Sequence, residues 1–305
     1  MNWSSTESID ITYRLLNIRG FGSVKTNKIL WSLHTLISTP DQYESLLLQT
    51  LSPSEIQMFT THKDLRSRNQ NVNYISVLDE SRYPKKLIET LKHSTPPILT
   101  YIGNLELLNK ASVGFSGSRK VSEKGLWITR DSVSQLVKND ICIISGYANG
   151  VDLEAHRTAL QNGGSTIIVL PEGIESFYIR NQLKDIWDWN RVLVISEFMP
   201  DDKWKASRAM QRNQTIIGLS DGLLVIEAGE TGGSIDAGMK AMNLGKKLYV
   251  PYYKDLPESA IGNNTLIKMG ANKLYKKQNN HTNVDSIIES IRDITMHNCT
   301  LPFAQ

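Results

Sequence analysis

A chain of 305 residues can bury one large core or two domains, and its 40% hydrophobic and 21% charged content is that of an ordinary globular protein. The formal net charge of +3 is too small to indicate nucleic acid by itself, so any basic surface has to be local. Only Cys142 and Cys299 are present, which excludes a disulfide framework and a thiolate zinc cluster and suits a reducing cytosol. The first residues, Met1 to Asp10, are mostly polar and carry acidic groups, unlike a signal peptide. No apolar run approaches the ~20 residues that span a bilayer. A cytoplasmic protein with no membrane contact is expected.

Residues 1–75 read as a small all-helical domain. Ile11, Leu15 and Leu16 fall at helical spacing, and Ile29, Leu30, Leu33 and Leu36 share one face of a second helix over 26–36. Gly20 and Gly22 between them fit a helix-hairpin-helix whose turn amides hold a DNA phosphate, with Arg19, Lys25 and Lys28 nearby. They fit equally a plain helix pair whose glycines serve only the C-cap. Ser52-Pro53-x-Glu55 opens a further helix by the capping-box pattern.

Polarity rises near 68–72, and the segment from Tyr83-Pro84 to Thr95-Pro96-Pro97 leads into an extended stretch at 98–102. From Ala111 the pattern alternates. Strands are expected at 111–116, 141–145, 166–170, 192–196, 222–227 and 247–250, with helices near 122–138, 152–162, 205–219 and 232–244. A further helix is expected over 177–189. Mostly apolar strands alternating with helices imply a parallel sheet covered on both faces. Residues 76–278 form this α/β domain, and 279–305 hold one short helix around 287–294.

Ligands of open α/β sheets bind beyond the carboxyl ends of the strands. Four such ends stand out. Gly117-Ser118-Arg119, followed by Ser122, places backbone amides, a helix start and a planar cationic fork together, as an anion requires. Ser145-Gly146 to Asp152 opens a helix carrying His156, and the segment 200–213 carries Lys203, Lys205, Arg208, Arg212 and Asn213. Glu227 to Ser234, with Gly232 and Gly233, is a fourth strand, glycine turn and helix start. Together they make a rim suited to a chain of phosphates.

Nucleotide signatures of the G-x-G-x-x-G and G-x-x-x-x-G-K-[ST] types are missing, which argues against dinucleotide redox chemistry and ATP hydrolysis. Asp152 and His156 are spaced as a metal pair, but a helix N-cap Asp and a His bonding the turn nearby is the reading adopted, since no third ligand is in view. Glu172, Glu197, Glu227 and Glu230 lie near strand ends, where an acid or base could stand, though capping or solvated carboxylates are commoner there. Trp127, Trp187 and Trp189 read as core, and Trp204 as the best stacking candidate.

The motifs Gly117-Ser118-Arg119-x-x-Ser122, Ser145-Gly146-x-Ala148-x-Gly150-Val151-Asp152-x-x-Ala155-His156, Ser196-Glu197, Arg212-Asn213-x-x-Ile216-Ile217-Gly218-Leu219-Ser220 and Gly262-x-Asn264-x-Leu266-Ile267 resemble, in order, those of the DNA-processing protein A (DprA/Smf) family. The resemblance covers about residues 83–271. It implies an extended Rossmann-like domain preceded by a small helical domain of helix-hairpin-helix (SAM-like) type. It also implies a non-catalytic protein that binds and protects incoming single-stranded DNA, forms a homodimer, and loads a RecA-type recombinase in natural transformation. No cofactor or metal is expected. Gly117, Ser118, Arg119, Ser122, Gly146, Arg208, Arg212, Asn213, Gly232, Gly233 and Ser234 would hold DNA phosphates, and the dimer surface would involve the later strands and helix 232–244.

The chain departs from the family at Gln214, where the Arg-Asn-Arg motif usually has its second arginine, and at Ala209-Met210, where an aromatic often stands. Pro171 and Glu172 replace small residues. A winged helix, present in many members, is not expected in the about thirty residues after Lys276. A nucleotide-binding sensor or a nucleotide-cleaving enzyme is the alternative, with Glu227 and Glu230 as its best feature.

Overall fold

The structure is a computed structural model describing residues 5–34, 40–61 and 69–299. The chain separates into two units. The first comprises residues 1–102 with 172–177 and 195–204, and the second comprises 103–171, 178–194 and 205–305.

The first unit holds α1 (Ser5–Leu16), α2 (Ser23–His34), α3 (Pro40–Thr50), α4 (Pro53–Thr60), β1 (Asn73–Ser76), α5 (Lys85–Leu91) and most of β2 (Ile98–Gly103). Tyr13, Leu15, Ile18, Leu30, Tyr43, Leu47 and Phe59 are buried in it. Gly20 takes φ +87°, a left-handed turn that glycine tolerates, between α1 and α2. Of the cations near this turn, Lys25 is paired with Glu55 at 2.8 Å, and the expected Ser52–Glu55 capping box is formed. Leu36 lies outside the described residues. Asn27, fully buried, donates to the carbonyls of His93 (2.9 Å) and Thr95 (2.7 Å), fixing α2 to the chain entering β2. β1 and β2 pair antiparallel, Ile75 opposite Leu99.

The second unit contains β3 (Ser112–Ser116), α6 (Glu123–Val137), β4 (Cys142–Ser145), α7 (Val151–Gln161), β5 (Thr166–Val169), the first part of β6 (Val192–Ser196), α8 (Ala206–Leu219), β7 (Gly222–Val225), α9 (Gly233–Asn243), β8 (Lys247–Pro251), α10 (Ile261–Lys268), β9 (Asn272–Leu274) and α11 (Asp285–Cys299). Its strands run in the order β6-β5-β4-β3-β7-β8-β9, and each pair from β5 to β9 is parallel. The strands are mostly buried along their length, as a sheet covered on both faces requires. Alternation in β3 shows the two layers. Val113 and Phe115 pack with Ile128 and Leu136 of α6, Val151 and Ala155 of α7, and Ile287 and Ile291 of α11. Gly114 faces the other way, where a Cβ would crowd Ile216 of α8 and Leu223. Glycine there lets α8 lie close on the sheet.

The α-helix expected over 177–189 is replaced by a short 3-10 turn at Asn181–Ile186. Asp188 accepts from the amide of Asn190 (2.9 Å) and from Arg191 Nε (2.9 Å), a local turn that competes with helix. Trp127 and Trp189 are 37% and 39% exposed, so two of the three tryptophans assigned to the core are surface residues. Trp187, half-buried, meets Trp189 edge-on at 5.1 Å. The sequence pattern also passed over α10 and β9, which are short and carry little periodicity.

Candidate functional site

The strand order reverses between β3 and β7: the chain moves from β3 outward to β4 and β5, then returns to the other side of β3 as β7. Parallel register sets the carboxyl ends of these strands side by side, Gly114 opposite Ile144 and Ser116 opposite Val225. Such a switch point is where an open α/β sheet forms its crevice.

Two turns meet there. Gly117, after β3, abuts Val151 of α7, leaving no room for a Cβ. Gly150 caps α7 at φ +81° and lies against Ser118 O and the Arg119 backbone, and Val151 N donates to Ser118 O at 3.4 Å. Ser118 Oγ accepts from Lys120 N (3.0 Å), and Arg119 is exposed at the mouth. Beside them Arg119, Lys120, Gly150, Leu153, Arg157 and Gln182 line a hollow of about 280 Å³.

α8 supplies the next wall. Arg212 is 6% exposed, and its guanidinium occupies the space a side chain at Gly146 would need. Asp152 is buried within its field. Burial pushes the Asp152 carboxyl up, opposed by Arg212, by the amide of Ala148 and by Arg119. Asp152 is thus no N-cap: Gly150 holds that place, and Asp152 reaches back to Ala148 N at 3.3 Å. His156 is fully buried, with Nε2 2.5 Å from Gly146 O and Nδ1 2.6 Å from Thr166 Oγ1. A carbonyl can only accept, so Nε2 carries the proton that Gly146 O receives, while the Thr166 hydroxyl beside Nδ1 also reaches Ile143 O at 2.8 Å. Burial is the main cause that pushes His156 down to about 4, and the Arg212 and Arg180 charges add to it against the Gly146 bond. Its role is to hold the turn, as expected, and among the described residues no group of three or more His, Cys, Asp or Glu could hold a metal.

The residue after Arg212 reaches the other side. Asn213 Nδ2 donates to Gly233 O at 3.2 Å, and Gly232 caps α9 at φ +106°. Gly232 and Gly233 are exposed, Ser234 and Arg208 half-buried. Arg212 and Asn213 therefore link the β4 turn to the β7 turn across the carboxyl end of β3.

Ser122 is placed differently. It caps α6, accepting from Gly125 N (3.1 Å), and its hydroxyl donates to Glu227 Oε1 at 2.5 Å. Glu227, fully buried, also accepts from Ser122 N (2.9 Å), Ser259 Oγ (2.5 Å) and Tyr253 OH (3.2 Å). Both carboxylate oxygens are taken by this staple, which ties α6 to β7. Glu230 is exposed. Two side chains that sequence reasoning passed over complete the β4 turn. Arg180 donates to Tyr147 O (2.5 Å) and Asn149 Oδ1 (2.7 Å), with its guanidinium 4.6 Å from the centre of the Tyr147 ring. No sequence spacing connects positions 147 and 180, so only the fold reveals the pair.

Residues 74–285 match the family described as DNA recombination-mediator protein A. The chain is 36% identical over 197 residues to DNA processing protein DprA of Streptococcus pneumoniae, across 64% of this chain and 68% of that one. It is 32% identical over 181 residues to Protein Smf of Borreliella burgdorferi, across 58% and 56% respectively. The solved S. pneumoniae structure superposes with TM-score 0.74 over 90% of this chain and 95% of that one, at 28% identity. DNA processing protein A of Helicobacter pylori, described for its single-stranded DNA binding mode, shares the fold, with TM-score 0.60 at 24% identity over 73% of this chain and 96% of that one. With several motifs in family order on the matching fold, and the family match running over most of the α/β region, the chain belongs to the DNA recombination-mediator protein A (DprA/Smf) family.

Proposed function

We propose that the chain binds single-stranded DNA through the rim at the β3–β7 switch point, protects incoming strands without cleaving them, and delivers them to a RecA-type recombinase in natural transformation. The observation that carries this reading is Arg212, a buried guanidinium against the Gly146 backbone, with Arg119 exposed beside it. Cationic forks and turn amides recognise the phosphate, which every nucleotide shares, and so bind without regard to sequence. Membership of a recombination-mediator family supports delivery to a recombinase, and the H. pylori relative supports single strands as the ligand. In this reading Gly117, Ser118, Arg119, Gly146, Arg208, Arg212, Asn213, Gly232, Gly233 and Ser234 face DNA, while Ser122 acts indirectly by fixing α6. Among the described residues no helix is long and apolar enough to cross a membrane; a cytoplasmic location is part of the same proposal. The nucleotide-cleaving alternative points to Glu227 and Glu230; the oxygens of Glu227 are occupied by protein donors, whereas Glu230 is exposed.

Fluorescence anisotropy with single-stranded and duplex DNA of equal length, across a salt series, tests the reading. Wild-type protein is expected to prefer the single strand. Arg119→Ala is expected to weaken binding whatever the base sequence and to lower the salt slope by about 0.7. Unchanged affinity and slope, or binding abolished by a mononucleotide competitor, would overturn it.

A further inference from the structure

Beside the phosphate rim, one aromatic ring is exposed on a backbone that is held in place. Tyr178 is 68% exposed, more than any other large hydrophobic or aromatic side chain among the described residues. Its own carbonyl accepts from Tyr147 OH at 3.3 Å, and Arg180 N, two residues on, donates to the same phenol at 3.1 Å. Arg180 then returns to the turn through Tyr147 O and Asn149 Oδ1. Tyr147 itself follows Gly146, against which Arg212 lies. The segment carrying Tyr178 is thereby tied, by four hydrogen bonds and the Arg180–Tyr147 stack, to the turn that forms one wall of the rim.

This arrangement needs an explanation. A tyrosine ring left in water gains none of the stabilisation of burial, yet the backbone that carries it is tethered. Two of the tethers come from the Tyr147 phenol, which could have been solvated. An exposed aromatic on a tethered backbone next to a phosphate site is what a nucleobase requires: the phosphate holds the strand, and the base covers the ring.

We propose that Tyr178 is a stacking platform for a nucleobase of the bound single strand, with Tyr147 and Arg180 as the positioning residues that hold it beside the phosphate rim. The proposal rests on the single-strand reading above and adds a contact that phosphate recognition alone does not supply. Stacking is tolerant of base identity because every base has a π face, so the platform adds affinity without sequence preference. It also gives a reason for preferring single strands, since duplex bases are already stacked and paired.

The test compares a labelled single-stranded oligothymidylate with an abasic strand of the same length and phosphate count, by anisotropy over a salt series. Wild type is expected to bind the base-bearing strand more tightly. Tyr178→Ala is expected to weaken that binding about 5- to 30-fold and to leave abasic-strand affinity and both salt slopes unchanged. Tyr178→Phe, which keeps the ring, is expected to match wild type. If Tyr178→Ala binds the base-bearing strand like wild type, or weakens both strands equally, the platform is overturned while the phosphate reading stands. If wild type shows no binding to either strand, the single-strand reading itself fails and takes the platform with it.

Discussion

Glu227 and His156 look like chemistry in the sequence and act as structure in the fold. A carboxylate with both oxygens occupied by buried donors is costly to remove, because Ser122 N, Ser259 Oγ and Tyr253 OH lose their partner together. Glu227→Ala is expected to cost about 3–5 kcal/mol, read as a lower urea midpoint at constant m-value, whereas Glu230→Ala at its exposed position stays within about 0.5 kcal/mol. Equal, small losses for both would return Glu227 to the list of candidate acids. His156 gives a pH signature. Its pKa is near 6.5 when unfolded and about 4 when folded, so between these values the unfolded chain binds more protons. Its contribution is therefore intact above about pH 6.5 and is lost as pH falls toward 4, by up to about 3 kcal/mol. Asp152 works in the opposite sense at the acid end, because its raised carboxyl favours the folded state once protonated. Urea midpoints over this range should fall with acid more steeply in wild type than in His156→Gln; identical profiles for the two proteins would mean the imidazole is solvated.

Among the elements, the β4–α7 turn joins sequence to function most directly. Gly146 needs no left-handed backbone; it is glycine because Arg212 fills the space beside it. In Gly146→Ala the end of a long side chain must move rather than a strand, so stability should stay within about 1 kcal/mol of wild type while single-strand affinity drops about tenfold. Gly150→Ala differs, since φ +81° and the nearby Ser118 carbonyl strain the backbone, and it should cost about 1–3 kcal/mol of stability as well. Thermal denaturation and anisotropy on both variants separate the two roles, and full affinity in Gly146→Ala would show that Arg212 is not needed where it lies. The glycine turns were legible in sequence because each ends an apolar run and begins a helix, and the strands β3 to β8 fall within one or two residues of their expected bounds for the same reason. What escaped lacked a local signal. The 177–189 segment owes its shape to Asp188 and to Arg180 anchoring on Tyr147, thirty-three positions away in sequence. The Glu227 staple joins residues 105 apart, so its carboxylate read as an acid at a strand end.

For the whole molecule, the expected homodimer can be placed where the sheet stops. β9 is three residues long and lies at the sheet edge, with Asn272 and Lys273 exposed. Tyr252 and Tyr275, at the ends of β8 and β9, have rings 5.7 Å apart and are each about half exposed, and α10, which leads into β9, leaves Ile261 and Met269 similarly open. The homodimer that the family resemblance implies would cover these exposed apolar groups beside a short sheet edge. Sedimentation at micromolar concentration is then expected to give a dimer, which Met269→Asp with Tyr275→Asp converts to a monomer without lowering the unfolding midpoint. The same variant should keep wild-type affinity for a strand long enough for one rim only. It should lose affinity for a long strand, because two rims on one assembly make the second contact intramolecular. A wild-type monomer would remove the dimer. A dimer whose dissociation leaves long-strand affinity untouched would mean that the two rims act independently.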